Sequence, residues 1–393
     1  MLNFMEHVQS AFYEASHWNV DNSYGALNAS ARALLDFHPP KGLRLQLSSL
    51  AAPNFATSYT LGNVGVVDGS VSYLYTSLPL SRKFKSAELD LHHVIRGYRQ
   101  LQELRKPDES WWWEIWHGGE RVDRRDTLLY GRIFLPQSTL EALYLRRLSP
   151  TRQLKVTAVS DSTLNNGGTI LALLQNDYGK YSTEYLYSTD SALMGIRGLY
   201  NFGPDPRLEP TEPTTAQELS EPIHGRFSAG AELYYGLLNK SGGISTGLRF
   251  ATLPNHAGFP YTMTLTMNPL MGNLSSTYSV KAGQHVALCS RFDFNFYSYE
   301  SDLQLGCELW RRRSNTDVEW ATKKLRPGWE RPTVAPDDDV SGILKARVDQ
   351  NWRIGVLWEG RIKELLLTIG ASLDLKKREQ IFRAVGIELQ YSS

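Results

Sequence analysis

The sequence predicts an all-β transmembrane barrel of roughly 19 or 20 strands, preceded by a short amphipathic helix. Three observations carry that reading. Apolar and polar residues alternate with a period of two from residue 43 to the end. Nothing approaches the roughly 18 consecutive apolar residues of a membrane helix; the best runs are ILALL at 170–174 and LLLTIGA at 365–371. The number of strands is also too large for a soluble barrel filled by its own side chains.

Composition is compatible with this class. The 393 residues carry a formal net charge of +1, which makes no strong electrostatic claim on nucleic acid. Mean hydropathy is −0.35, but only every second residue of a membrane strand faces lipid, so low hydropathy does not exclude a barrel. The 20 Tyr, 14 Phe and 10 Trp suit strands and membrane interfaces. Cys289 and Cys307 give no disulfide framework and read as free thiols. No charged-then-apolar secretory signal opens the chain, as a bacterial outer-membrane precursor would require.

Residues 2–15, LNFMEHVQSAFYEA, place Phe4, Val8, Ala11, Phe12 and Ala15 at helical spacing, and predict a helix packed inside the barrel. Residues 1–40 are this helix and the segment leading into the barrel; residues 41–393 are the barrel. Leu43, Leu45 and Leu47 then oppose Arg44, Gln46 and Ser48. Val71, Tyr73 and Tyr75 oppose Ser72 and Leu74. The pattern recurs at Leu154–Ala158, Tyr261–Met267, Phe292–Phe296, Leu344–Val348 and Ile354–Trp358. In the last segment Ile387, Leu389 and Tyr391 share one face, and Gly386, Glu388 and Gln390 the other. Asn165–Gly168 and Asn239–Gly243 are turn signals, because Asn and Gly tolerate positive φ. Three stretches break the rhythm and read as long loops at the mouths: 102–126 with its tryptophans, the Pro-rich acidic 203–222, and 311–340, which runs from Arg311–Arg313 to Asp337–Asp339.

Alternation does not say which face is inside; size does. About 16 or more strands enclose an aqueous lumen, so the polar face turns inward and the apolar face meets lipid. Closure removes the unpaired edges that hydrocarbon would penalise. The competing geometry is a pair of soluble β-sandwiches, but no shift in composition divides the chain. Arg44, Lys155, Arg291, Asp293, Lys345, Arg347, Asp349 and Glu388 fall on polar faces. Their mixed sign predicts a hydrated wall rather than an ion-selective pore.

Three long strings carry a resemblance: FMEHVQSAFYEASHWNVDNSY, SARALLDFHPPKGLRLQLSSLAAPNFATSYTLGNVGVVDGSVSYLYTSLPL and NWRIGVLWEGRIKELLLTIGASLDL. Through them the chain resembles, over nearly its full length, the fungal mitochondrial distribution and morphology protein 10 family. More distantly, its last four strands are similar to the end of the voltage-dependent anion channel. The resemblance implies a mitochondrial porin-like barrel of 19 strands in the mitochondrial outer membrane, with the helix inside and the first and last strands paired in parallel. It implies a β-signal in the last strand at Gly386, Leu389 and Tyr391, with Ala384 at the usual polar position and Arg383 just before it.

The resemblance also implies a docking role without bond chemistry, in two assemblies. One is the endoplasmic reticulum–mitochondria encounter structure, with its lipid-transfer subunits. The other is the sorting and assembly machinery, with its core barrel and peripheral subunits. The small subunit of the outer-membrane translocase and membrane lipid complete the expected partners. Tyr73 and Tyr75, and Trp111, Trp112, Trp113 and Trp116, are the candidate partner-binding residues, since aromatic side chains anchor interfaces. No cofactor or metal is expected. His92–His93 is the only histidine pair, and read as strand neighbours they would point to opposite faces. No G-x-S-x-G elbow or Walker loop is present. The alternative function is a metabolite channel of the voltage-dependent anion channel type.

Overall fold

The computed structural model describes residues 1–64, 66–80, 84–104, 114–117, 120–123, 126–164, 166–203, 225–254, 256, 258–312, 340–376 and 381–393. Helix α1 spans Phe4–Ala15 and α2 Ala29–Leu35. The first strands are β1 (Gly42–Ala52), β2 (Phe55–Val64) and β3 (Val66–Thr76). A short helix α3 (Leu91–Val94) and a separate hairpin, β4 (Glu114–His117) with β5 (Glu120–Asp123), follow. The wall continues with β6 (Thr127–Leu135), β7 (Leu140–Ser149), β8 (Arg152–Ser160), β9 (Gly168–Asp177), β10 (Tyr181–Ser188), β11 (Leu193–Asn201), β12 (Gly225–Gly236) and β13 (Ser241–Thr252). It ends with β14 (Tyr261–Asn268), β15 (Asn273–Lys281), β16 (Val286–Asn295), β17 (Ser301–Arg312), β18 (Val340–Asp349), β19 (Arg353–Ile362), β20 (Leu365–Asp374) and β21 (Phe382–Ser392).

All strands except β4 and β5 form one 19-stranded sheet. Each is antiparallel to the next, and β3 pairs directly with β6. The sheet closes where β21 meets β1 in parallel, from Gly42 opposite Gly386 to Ser48 opposite Ser392. An odd number of alternating strands leaves the first and last running the same way, so the closing pair has to be parallel. That ladder is slightly weaker per residue than its antiparallel neighbours.

The burial pattern is the reverse of a soluble protein's. Leu43 is 54% exposed on the outer wall, whereas Gln46 is 1% exposed within. The same inversion holds along β14, where Met263, Leu265 and Met267 face out and Thr262 and Thr264 are buried. Such a wall suits hydrocarbon outside. Among the described residues no helix is long and apolar enough to cross a membrane.

The interior is partly occupied, while Arg44 on the inner face of β1 stays exposed. Two segments occupy it. The first is residues 1–41, which travel around the inner circumference almost in strand order. Helix α1 begins in a capping box between Asn3 and Glu6. Its Phe4, Val8, Ala11 and Phe12 pack on Ala56 of β2, Leu74 of β3, Leu128 of β6 and Leu143 and Leu145 of β7. These inward leucines break the simple polar-in rule because they face the helix rather than water. Trp18 then lies over the Arg147 guanidinium of β7, 4.6 Å from ring centre. Asn22 donates to Asp177 of β9 (2.6 Å) and accepts from Asn201 of β11 (2.8 Å). The Tyr24 hydroxyl meets Ser245 of β13 at 2.7 Å, and burial raises its pKa. Thr264 of β14 donates to Asn28 (2.6 Å). Asp36, at the end of α2, takes both terminal nitrogens of Arg291 on β16, at 3.0 and 2.8 Å. Arg347 of β18 donates to the Leu35 carbonyl at 2.6 Å.

The second filler is residues 84–104. It returns into the lumen. Leu89, Leu91, Val94 and Ile95 pack on Ile343 and Leu366 of the wall. His92 and His93 therefore sit on α3, not on a strand, and His92 stacks on Trp310 with centroids 4.4 Å apart.

Other boundaries also move. The predicted loop 102–126 contains the β4–β5 hairpin. Arg311 and Arg312 extend β17, and Val340 opens β18, so the third loop is shorter than 311–340. At the 239–243 turn the positive φ belongs to Lys240, and Ser241 already starts β13. Cys289 faces Gly306 across the β16–β17 ladder and Cys307 faces Leu288; both thiols are free.

Because Phe12 is fully buried inside the barrel, Phe12→Ala is expected to cost about 3–5 kcal/mol. Thermal unfolding of the detergent-solubilised chain, followed by circular dichroism, should show a clearly lower midpoint. An unchanged midpoint would mean that α1 does not pack within the wall.

Candidate functional site

Three places combine sequence signals with unusual geometry: the β1–β21 seam, the filler beneath it, and the aromatic outer wall beside it.

At the seam the predicted β-signal residues separate by face. Leu389 and Tyr391 pair in register with Leu45 and Leu47 of β1, and Tyr391 is exposed on the outside. Gly386 is buried and faces inward. A Cβ there would come within 2.6 Å of the carbonyl oxygens of Pro40 and Gly42. The chain leading into β1 crosses directly over this position, so only glycine lets the closing strand approach. Gly370, on β20 next door, is pressed in the same way by the Pro39 and Pro40 rings, at 2.8 and 2.9 Å. Arg383 occupies a register irregularity, since Ser372 pairs with Ala384 while Leu373 pairs with Phe382. The missing polar residue at 384 thus coincides with a bulge, which changes which side chain can face which way.

The second filler ties the seam from inside. The Ser86 amide donates to the Ser392 carbonyl (3.1 Å), and the Ser392 hydroxyl donates to the Phe84 carbonyl (2.5 Å). The Ser86 hydroxyl also donates to the Glu364 carbonyl between β19 and β20. Arg361 holds the carbonyls of Ala87 (3.2 Å) and Leu89 (2.8 Å). Phe84 in turn packs edge-on against Phe4 of α1, with centroids 6.2 Å apart. Helix α1, residues 84–89 and the end of β21 therefore form one connected unit, which no local sequence pattern announces.

On the outer wall Tyr73 and Tyr75 are both exposed on β3. Phe55 of β2 stacks on Tyr73 at 6.0 Å, and Tyr59 is exposed on the same outer face of β2. On the far side Tyr73 pairs with Gly131 of β6, where a Cβ would meet nothing within 4 Å. The result is an aromatic ridge beside an open shelf. The sequence singled out two of its four aromatic residues. Phe55 and Tyr59 lie on the neighbouring strand, and only the register brings them alongside. Trp116 lies on β4, paired with Arg121 of β5. Trp111, Trp112 and Trp113 lie outside the described residues.

A family model described as mitochondrial distribution and morphology protein 10 matches residues 1–332 and 320–393. The chain belongs to this family. It is 81% identical over 393 residues to the mitochondrial distribution and morphology protein 10 of Phaeosphaeria nodorum, with all of both chains covered. It is 63% identical over 400 residues to the protein of the same name from Sclerotinia sclerotiorum, and 44% over 451 residues to that of Podospora anserina, again with full coverage of each chain. Family membership agrees with the expectation raised by the three sequence strings, and the 19-strand parallel closure agrees with the architecture they implied.

Gly386→Ala is expected to lower the yield of closed barrel several-fold, because the added methyl meets backbone rather than a movable side chain. The matched control is Gly198→Ala on the outer wall of β11, where nothing lies within 4 Å. Import of both variants into isolated mitochondria, scored by carbonate-resistant, protease-protected protein, distinguishes them. Equal yields would remove the steric explanation of Gly386.

Proposed function

We propose that this chain is a docking barrel of the mitochondrial outer membrane that serves mitochondrial distribution and morphology without bond chemistry of its own. The observation that carries the reading is a greasy outer wall around an occupied lumen. A transport protein needs a path, and here residues 1–41 and 84–104 line the inner wall and take up part of the lumen. What the barrel offers is its outside, its mouths and its seam.

In this reading the partners are the lipid-transfer subunits of the endoplasmic reticulum–mitochondria encounter structure, and the core and peripheral subunits of the sorting and assembly machinery. The small subunit of the outer-membrane translocase is the further candidate. The ridge of Phe55, Tyr59, Tyr73 and Tyr75 is the favoured contact. Such side chains give large contact area with few rotatable bonds, and interface hot spots are rich in them. Trp116 and the neighbouring tryptophans at 111–113 form the second candidate. The metabolite-channel alternative shares the barrel plan, but the two segments on the inner wall narrow the path it would need.

The reading makes two joint demands. Affinity capture of the full chain from digitonin-solubilised mitochondria should recover subunits of one or both assemblies, and Tyr73→Ala with Tyr75→Ala should reduce that recovery at least about tenfold, the loss of roughly 1.4 kcal/mol or more expected of an anchoring aromatic pair. In planar bilayers the purified chain should pass little steady current. Open-channel conductance comparable to a porin, with recovery unchanged in the tyrosine variant, would overturn the docking reading.

A further inference from the structure

Consecutive turns alternate between the two mouths of an antiparallel wall. The connections 77–126, 202–224 and 313–339 all leave one mouth, together with the C-terminus. The other mouth carries short turns, and these divide into two unlike halves. Over β12–β19 they expose large apolar side chains: Leu238 (73%), Met271, Tyr297, Tyr299 (81%) and Trp352. Two of these turns touch one another, while the Leu238 turn bonds to the neighbouring turn at Ser191 and Ala192. The Phe296 amide donates to the Gly272 carbonyl at 2.7 Å, and the Tyr297 hydroxyl to the Pro269 carbonyl at 2.9 Å. Over β6–β11 the same mouth presents Pro136, Gln137, Ser138 and Thr139, then Asp161, Ser162 and Thr163 with Leu164 the one large apolar side chain exposed at a described turn tip (39%), and then Thr189 and Asp190.

An apolar rim this exposed is covered by something in the working protein. Its continuity with the wall says what. Below Leu238 the outer face of β12 continues through Tyr235 and Leu233; below the 296–300 turn, β16 continues through Phe292; below Trp352, β18 continues through Val348. The outer wall is apolar up to the strand ends on both halves, as Leu135 and Leu140 show, but over β12–β19 exposed apolar side chains continue onto the turn tips, interrupted at Gln350.

We propose that the rim formed by the turns over β12–β19 is immersed in the lipid interface, while the turns over β6–β11 stand in water. The bilayer boundary then crosses the barrel obliquely, past the strand ends on one side and short of the turns on the other. Interfacial membrane-binding surfaces use the same chemistry, with leucine and aromatic groups entering the headgroup–acyl boundary. The inference rests on the membrane-barrel reading, and its test separates the two.

The full chain, carrying Cys289→Ala and Cys307→Ser, would be reconstituted in phosphatidylcholine vesicles with one nitroxide at Leu238→Cys, Met271→Cys, Gln137→Cys or Asp190→Cys. Collision with oxygen reports lipid, and collision with a water-soluble nickel chelate reports solvent. A side chain about 5 Å into the headgroup boundary is shielded from water, so nickel accessibility at 238 and 271 should be about fivefold or more below that at 137 and 190, with oxygen accessibility higher. Equal nickel accessibility at all four positions overturns the proposal. Shielding of 238 and 271 from both reagents also overturns it, in favour of a protein contact such as a second copy. If alkaline carbonate strips the chain from the vesicles, the membrane reading itself falls, and this inference with it.

Discussion

The structure depends on one constraint: a closed sheet of 19 strands has an inner face far too large for its own side chains to fill. Lipid covers the outside of such a wall but cannot serve the inside, where Arg249, Glu308, Lys345 and Glu359 are buried. Buried polar groups need partners, and buried charges need them most. The chain supplies many of them from its own first 41 residues and from 84–104. Lys345 reaches Glu359 at 3.4 Å and the Arg96 carbonyl; Arg249 reaches the Ala26 carbonyl. The filler is thus part of the wall's polar satisfaction as much as an obstruction of the lumen.

The same constraint explains why the seam and the filler are one construction. A parallel closing pair is the weak ladder of the barrel. It is also where residues 39–42 leave the lumen to become β1, and where 84–89 bond to the last residues of β21. Gly386 and Gly370 leave room for the crossing; Ser86, Ser392 and Arg361 fasten it. A β-signal glycine that reads in sequence as part of a short pattern has, in this fold, a steric reason: two backbone carbonyls occupy the volume that any side chain would need.

Legibility varied with the range of the interaction involved. The strand alternations were plain, because the inside and outside of a barrel impose opposite chemistry on adjacent residues. The N-terminal helix was equally visible, since Phe4, Val8, Ala11 and Phe12 are spaced for one face and that face is the buried one. The return of 84–104 into the lumen was not visible. Its anchors, Ser86 to Ser392 and Arg361 to Leu89, join residues 306 and 272 positions apart, and serine and arginine carry no periodic signature. His92 and His93 were misplaced for the same reason: a helix of one turn leaves too few residues to show a period. The outer ridge was half legible, with Tyr73 and Tyr75 on one strand and Phe55 and Tyr59 contributed by the next.

By itself the sequence determined the class of solvent on each side of the wall, the approximate number of strands, and the family. Those follow from local alternation and from long matching strings, which need no knowledge of distant contacts. Tertiary structure alone decided the path of residues 84–104 along the inner wall, the clash that reserves position 386 for glycine, and the division of one mouth into apolar and polar halves. Each depends on which strands lie side by side and which turns share an end, and that is fixed only when the sheet has closed.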